Sequence, residues 1–184
     1  MVSSMRYWKR LASALAAAAL AGCAGAPSAL QIRHAGITQG VLSARLEWMA
    51  SDVVLDALDH GIVLDFVLEL SALGPARFGW QPTLAHAARH IELRYFPLSS
   101  RYQLRDLDRG ETRSYAARRL LIDALEDLRL DLPAGWAPSA VQSYSLRINL
   151  DRDRLPGAMR LPALLQSAWH LSSGDYSWPA ADAG

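Results

Sequence analysis

Two histidines four positions apart are the first residues whose spacing could support chemistry. His86 and His90 share one face of either a helix or a strand, and two imidazole nitrogens so placed can bind one metal ion. No third ligand can be identified beside them in the sequence. We therefore expect a polar strand face that also carries Glu92 and Arg94, with no metal site and no cofactor.

Two acidic segments are similar in composition to calcium-binding loops. They run from Asp106 to Glu111 and from Asn149 to Asp153. A calcium loop of the helix-loop-helix kind has glycine at its sixth position and a bidentate glutamate at its twelfth, and neither segment has both. We expect the first segment to form a turn and the second to end a strand.

The residue sets typical of hydrolases are not recognisable either. The sequence contains no Gly-x-Ser-x-Gly turn, and no Ser, His and Asp can be grouped by spacing. Carboxylates pair at Asp56 with Asp59 and at Glu126 with Asp127, but these fall on predicted helices, where exposure to solvent explains them. We assign no catalytic residue and expect the protein not to be an enzyme, with a hydrolase as the least favoured alternative.

The single cysteine offers a different kind of chemistry. Cys23 follows Leu20-Ala21-Gly22, and these four residues resemble the bacterial lipoprotein box. A basic stretch ending at Arg10 and an apolar stretch from Leu11 to Leu20 precede them, in the order of an export signal. The apolar stretch is about half the ~20 residues that a transmembrane helix needs, so we expect cleavage before Cys23.

The box implies how the chain would be held. The Cys23 thiol would take a diacylglycerol, and the new amino terminus would be acylated by a fatty acid such as palmitate. Each buried methylene contributes about 0.8 kcal/mol, so three chains would make the attachment effectively permanent. Ala24 stands where an Asp would usually signal retention at the inner membrane, so we expect the periplasmic side of the envelope, at the outer membrane. A soluble exported protein is the alternative.

Charge and composition exclude several classes of partner and cofactor. The chain has 19 Lys and Arg against 18 Asp and Glu, and three of the basic residues lie in the expected signal, so the mature part is slightly acidic. Nucleic-acid binding needs a strong positive field, and we expect no nucleic-acid partner. Lys9 is the only lysine, which excludes a Schiff-base or phosphate-loop lysine from the mature chain.

Hydrophobic periodicity predicts an α+β fold that is mainly an antiparallel sheet or sandwich with two packed helices. Alternation predicts strands over 41–49, 62–70 and 144–150, of which 62–70 is the central strand, and a second hairpin turning near 97–100. The stretch 30–38, ahead of Gly40, is expected to pair with 41–49 as a first hairpin, and a final strand is expected to end near 178. Helical spacing predicts one helix between Ser51 and Gly61 and another from Ser114 to Leu128. From Leu161 onward we expect a short irregular or helical piece before the final strand.

The expected organisation has four parts: a signal peptide over 1–22, the lipidated Cys23 with a short tether over 23–29, one globular domain over 30–179, and a tail over 180–184. Five aromatic residues lie in the loops and near the C-terminus of the predicted domain, and we expect them in the core: Trp80, Trp136, Trp169, Tyr176 and Trp178.

Three segments together resemble the DUF4390 family, a bacterial domain of unknown function of the proline-rich signal-peptide type. They are Leu55 to Ile62 leading into Phe66 to Glu69, then Arg94-Tyr95 followed by Arg101-Tyr102, and finally Trp169 to Ser173 with Trp178. The resemblance implies an exported single-domain protein whose gene can lie near those of a nitrogen-regulation sensor kinase and a ribosomal-RNA methyltransferase. It implies no catalytic residue.

We therefore expect an envelope lipoprotein whose domain binds a protein partner, such as a sensor kinase, at the membrane surface. The alternative is a module for a small ligand or a lipid, which an apolar pocket lined by Trp80 or Trp136 would support.

Overall fold

The computed structural model describes residues 29–133, 136 and 140–180. The expected signal peptide, Cys23 with its tether as far as Ser28, and the tail from residue 181 onward lie outside the described residues. Among the helices that are described, none has the length and apolar content needed to cross a membrane.

Three strands form the smaller sheet: β1 (Leu30–Thr38), β2 (Val41–Trp48) and β7 (Asp127–Asp131), in the order β1-β2-β7. The turn between β1 and β2 contains Gln39 and Gly40 at φ of 52° and 78°. Two successive residues with positive φ match the right-handed twist of a hairpin, so a two-residue turn suffices. The predicted first hairpin is confirmed.

Six antiparallel strands form the larger sheet: β3 (Leu64–Leu73), β4 (Thr83–Phe96), β5 (Arg101–Asp106), β6 (Thr112–Tyr115), β8 (Ser143–Leu150) and β9 (Tyr176–Pro179). Their order in the sheet is β6-β5-β4-β3-β8-β9. The mainly antiparallel α+β class, the second hairpin and the central strand are confirmed. Ile62 lies before the central strand, because its N–H donates to Ala57 O at the end of the preceding helix.

Three α-helices are described, one more than predicted: α1 (Asp52–Asp59), α2 (Arg118–Glu126) and α3 (Gly157–Leu165). The first confirms its prediction, and Gly61 has the expected positive φ, of 84°, just beyond its C-terminus. The third was expected only as a short irregular or helical piece. Its leucines face solvent instead of the core, so the usual apolar pattern of a packed helix is missing.

The prediction of one helix from Ser114 to Leu128 was wrong at both ends. Ser114 belongs to β6 and pairs with Gln103 of β5. At the other end, Asp127 already begins β7, where Leu128 and Leu130 pair with Ala44 and Leu42 of β2. Leucines at 121, 125 and 128 fit a helical period, but 128 and 130 also fit the period of two of a strand, and pairing with β2 decides between them.

The buried apolar side chains form one cluster that both sheets and the helices share. Trp136, Trp169 and Trp178 belong to it as predicted, and Tyr176 packs against it half-buried. The prediction was wrong for Trp80, which is 66% exposed beside a turn formed by Phe78 and Gly79. The two sheets meet at one side, where β1 contacts β9. At the other side, the edge strands β6 and β7 do not pair.

Candidate functional site

A groove of about 280 Å³ lies between β7 and the β5–β6 hairpin. All five residues of β7 line it. The other lining side chains fall into an apolar group of Val41, Ile91, Leu104 and Ala124 and a charged group of Asp106, Arg109, Glu111 and Arg113. We call this cavity the β7 groove. It combines an apolar lining with a charged rim, along the open edge of a sheet.

The backbone of β7 shows which of its polar groups face the groove. Leu132 N–H donates to Gly40 O at 2.8 Å, and Val41 pairs with Asp131 next to it. Hydrogen-bonded and non-hydrogen-bonded pairs alternate along an antiparallel ladder, so Arg129 is a non-hydrogen-bonded position. Its N–H and C=O therefore point away from β2, toward the open edge.

Both ends of this edge are already occupied. At one end, Asp131 O accepts a 3.0 Å hydrogen bond from Arg89, while the Asp131 carboxylate lies 2.5 Å from the guanidinium of Arg109. The hydrogen bond to Asp131 is the main reason that the pKa of Arg109 is raised. At the other end, Asp127 N–H donates to Asp123 O at the C-terminus of α2. The open part of the edge is therefore centred on Arg129.

The turn that carries Arg109 is held by its own hydrogen bonds. Asp106 is buried, and its Oδ1 accepts from the N–H groups of Asp108 and Arg109 at 2.9 and 3.0 Å. Leu107 N–H donates to His90 O on the adjacent strand. The segment from Asp106 to Glu111 thus forms the predicted turn, and it presents Arg109 from a fixed backbone.

Arg113 and Arg129 are the arginines of the groove lining that have no ion pair or side-chain hydrogen bond among the described residues. Arg113 pairs with Leu104 across β5 and β6, so both side chains share the inner face of the sheet. Arg109, by contrast, lies near the carboxylates of both Glu111 and Asp131. The charge of Arg113 is therefore available to a bound group.

The two histidines lie on β4, away from the groove lining. Four strand residues span about 13 Å, so His86 and His90 are farther apart than on a helix. His90 N–H donates to Asp108 Oδ2 at 2.7 Å, and its Nδ1 lies 3.3 Å from the same oxygen. In the part of the chain that is described, no three His, Cys, Asp or Glu side chains are grouped to hold a metal ion. His90, Glu92 and Arg94 alternate along β4 with the buried Ile91 and Leu93, so the predicted polar strand face is confirmed.

The predicted carboxylate pairs have specific contacts that the sequence did not indicate. Asp59 Oδ1 accepts a 2.7 Å hydrogen bond from the Tyr102 hydroxyl, and Asp59 Oδ2 binds Arg118. Burial and then the hydrogen bond to Asp59 raise the pKa of Tyr102 to about 12. Glu126 accepts from Trp48 N–H, whereas Asp127 is a strand residue. These carboxylates tie α1 and α2 to the sheets.

Asp65 is the acid whose surroundings are least favourable to its charge. It is 7% exposed, and its Oδ1 accepts no hydrogen bond. The nearest cation, Arg154, is 3.9 Å away, which is too far for a hydrogen bond. Burial raises the pKa of Asp65, and Arg154 opposes that change only in part.

The segment from Asn149 to Asp153 ends β8 as predicted, and the chain returns there through Trp169 to Ser173. Ser172 Oγ donates to Asn149 Oδ1 at 2.6 Å, and Ser173 Oγ accepts from Ile148 N–H at 2.9 Å. Trp169 is fully buried. This motif therefore holds the returning chain against β8, which is a structural role.

Comparison with known proteins identifies one family. The chain matches no curated protein and no solved structure. The family described as "Domain of unknown function (DUF4390)" matches residues 28–179, which include every strand and helix described above. The chain belongs to the DUF4390 family.

Proposed function

We propose that the protein is an envelope lipoprotein, anchored on the periplasmic side through Cys23, whose domain binds an extended segment of a protein partner in the β7 groove. The proposal gives the domain no catalytic role. The observation that carries it is the open edge of β7, whose five residues all line one groove.

The backbone of Arg129 supplies the attachment. A partner strand lying beside β7 would place one residue opposite Arg129, where it would donate to Arg129 O and accept from Arg129 N–H. Adding a strand to an open sheet edge is a common way to bind peptides, because main-chain hydrogen bonds give affinity for any extended sequence. Unpaired edges otherwise risk aggregation, so such an edge is normally covered or blocked.

The side chains of the groove supply the specificity. Residues of the partner that face the apolar lining would be apolar, and they would alternate with residues that face outward. An acidic side chain on the partner would pair with Arg113, which has no partner among the described residues. We therefore expect an extended, alternating segment with at least one Asp or Glu.

A module for a small ligand is the less favoured reading. Sites for such ligands usually enclose about 300 to 1,000 Å³, and the groove of about 280 Å³ lies just below that range. Neither Trp80 nor Trp136 lines it. An open strand edge also offers more to a peptide backbone than to a small molecule.

Site-specific photocrosslinking in the full-length lipoprotein tests this proposal. A photoreactive benzoylphenylalanine at Glu111, on the rim of the groove, should capture one protein in intact cells. The matched control carries it at Arg94, which is exposed on the opposite face of the larger sheet. Mass spectrometry of the adduct should locate a single extended segment of the captured protein, and a synthetic peptide of that segment should bind the purified lipoprotein.

Charge reversal separates the groove from a general surface effect. Arg113→Glu should weaken binding of the acidic peptide, whereas Arg94→Glu should not. Equal capture from positions 111 and 94, or capture through a folded surface instead of an extended segment, would contradict the proposal.

A further inference from the structure

Helix α3 exposes an apolar face instead of burying it. Leu161, Leu164 and Leu165 are 70%, 58% and 85% exposed, while Ala163 is the residue that the helix buries. A surface helix of a soluble domain normally has the reverse arrangement, with its apolar stripe toward the core. Three exposed leucines within one helical turn and a half mark a surface that contacts something apolar.

The position of α3 identifies what it contacts. The chain leaves β8 at Leu150 and returns at Leu171, where Leu150 N–H donates to Leu171 O at 2.9 Å. Leu150 pairs with Phe66, and the Phe66 ring lies 5.6 Å from that of Trp48. Trp48 pairs in turn with Leu30, the first residue of β1. The α3 excursion and the point where the chain enters the domain are therefore at the same end.

The lipid anchor would lie close to that end. Six peptide units separate Cys23 from Ala29, and fully extended they reach roughly 21 Å. We infer that α3 docks on the lipid bilayer, with its exposed leucines at the boundary between headgroups and acyl chains. This inference rests on the proposed anchor at Cys23.

Charge contributes little to this docking. Arg160 is the only charged residue of the helix, and Asp151 and Asp153 alternate with Arg152 and Arg154 just before it, so those four charges cancel. The docking therefore depends on burial of the exposed leucines at the interface. Leu98 is fully exposed in the β4–β5 turn, which lies beyond the start of β3, so it adds a fourth exposed leucine at this end.

A fluorescent label that reports its surroundings tests the docking. The full-length lipoprotein, reconstituted into vesicles of phosphatidylethanolamine and phosphatidylglycerol, would carry an environment-sensitive dye on the thiol of Leu164→Cys. The matched control is Phe78→Cys, which is fully exposed in the β3–β4 turn, at the far end of β3 from Leu64. The dye at position 164 should emit at shorter wavelength and lose intensity when the vesicles contain bromine-labelled lipid, and the dye at position 78 should do neither.

The outcomes separate this inference from the proposed anchor. Leu161→Ser with Leu165→Ser should return the emission of the position-164 dye to that of the control while the protein stays with the vesicles. If the protein stays with the vesicles but the dye at position 164 remains in water, the docking of α3 is overturned and the anchor is not. The dye at position 164 could instead be shielded from water without being quenched by the bromine-labelled lipid. If the protein also crosslinks to itself through position 164, the apolar face of α3 binds a second copy of the chain and the docking is overturned. A mature chain without lipid on Cys23 would overturn the anchor and the docking together.

Discussion

Arg109 and Asp131 form an ion pair at 2.5 Å that joins the β5–β6 turn to the last residue of β7. The pair links the two sheets, on the side where their edges do not pair. Together with the hydrogen bond from Arg89 to Asp131 O, the ion pair closes one end of the β7 groove. It therefore sets how far along β7 a bound strand can extend.

Removing this ion pair should change the groove more than the fold. Both side chains are more than a third exposed, and ion pairs in such positions contribute little to stability. Arg109→Ala should leave the melting temperature nearly unchanged at low and at high salt, while it alters crosslinking from position 111. Thermal unfolding followed by circular dichroism measures the first effect. A large loss of stability would show that Arg109 holds the sheets together.

Truncation of a core aromatic should have a much larger effect. Phe66 is completely buried against Trp48, so Phe66→Ala should lower the free energy of unfolding by about 3 to 5 kcal/mol through the cavity that it leaves. Phe78 is fully exposed, and Phe78→Ala should change that free energy by less than about 0.5 kcal/mol. Urea unfolding of both variants checks the contrast. Similar losses in the two variants would mean that the core does not lie where Phe66 is.

Asp65 should make the fold less stable as the pH rises. Its pKa in the folded protein is raised above the usual 3.8, so the folded protein holds this proton more tightly than the unfolded chain does. Stability is then lost as the pH rises from that usual value through the raised one. Asp65→Asn removes the buried charge and should stabilise the protein at pH 7 by about 1 kcal/mol, with a smaller gain at pH 4. Urea midpoints at the two pH values measure this, and an equal gain at both would exclude the mechanism.

Tyr102 should also make the fold less stable as the pH rises, but at high pH. Its pKa of about 12 exceeds the usual 10, so the contribution of its proton to stability is complete below pH 10 and is lost as the pH rises to about 12. Tyr102→Phe should cost about 0.5 to 1.5 kcal/mol at pH 7, because Asp59 loses one donor. Absorbance titration of wild type and variant should assign the last tyrosine to ionise to Tyr102. A variant with an unchanged titration curve would contradict the assignment.

Much of the fold could be predicted because several of its strands alternate. In β2 and β8 every second side chain enters the core, so both position and face were recognisable. In β1 the alternation shifts by one residue at the irregularity between Ile32 and His34. Strand β7 has only five residues and directly follows α2. Its first leucine continues the helical spacing of α2, so the sequence predicted helix where the structure has a strand. Helix α3 was not recognised as a full helix because its leucines face outward.

The candidate site could not be predicted, because its parts come from distant segments. Arg109 and Asp131 are 22 positions apart and meet only because β7 joins the other sheet. The edge of β7 is open because no described strand pairs with β7 on the side away from β2. The local sequence pattern of β7 does not indicate which strands will pair with it. The spacing of His86 and His90 reflects one face of a strand and, among the described residues, no shared site.

The most direct test of the central claim compares two substitutions at Arg129. Proline there removes the N–H that points to the open edge, while the ladder between β7 and β2 keeps its hydrogen bonds. Arg129→Ala removes the side chain and keeps the N–H. Both variants carry the photoreactive residue at position 111, and circular dichroism checks that each one is folded. Arg129→Pro should lower capture of the partner by roughly tenfold or more, whereas Arg129→Ala should retain it. Capture at the wild-type level in folded Arg129→Pro would contradict strand addition at β7.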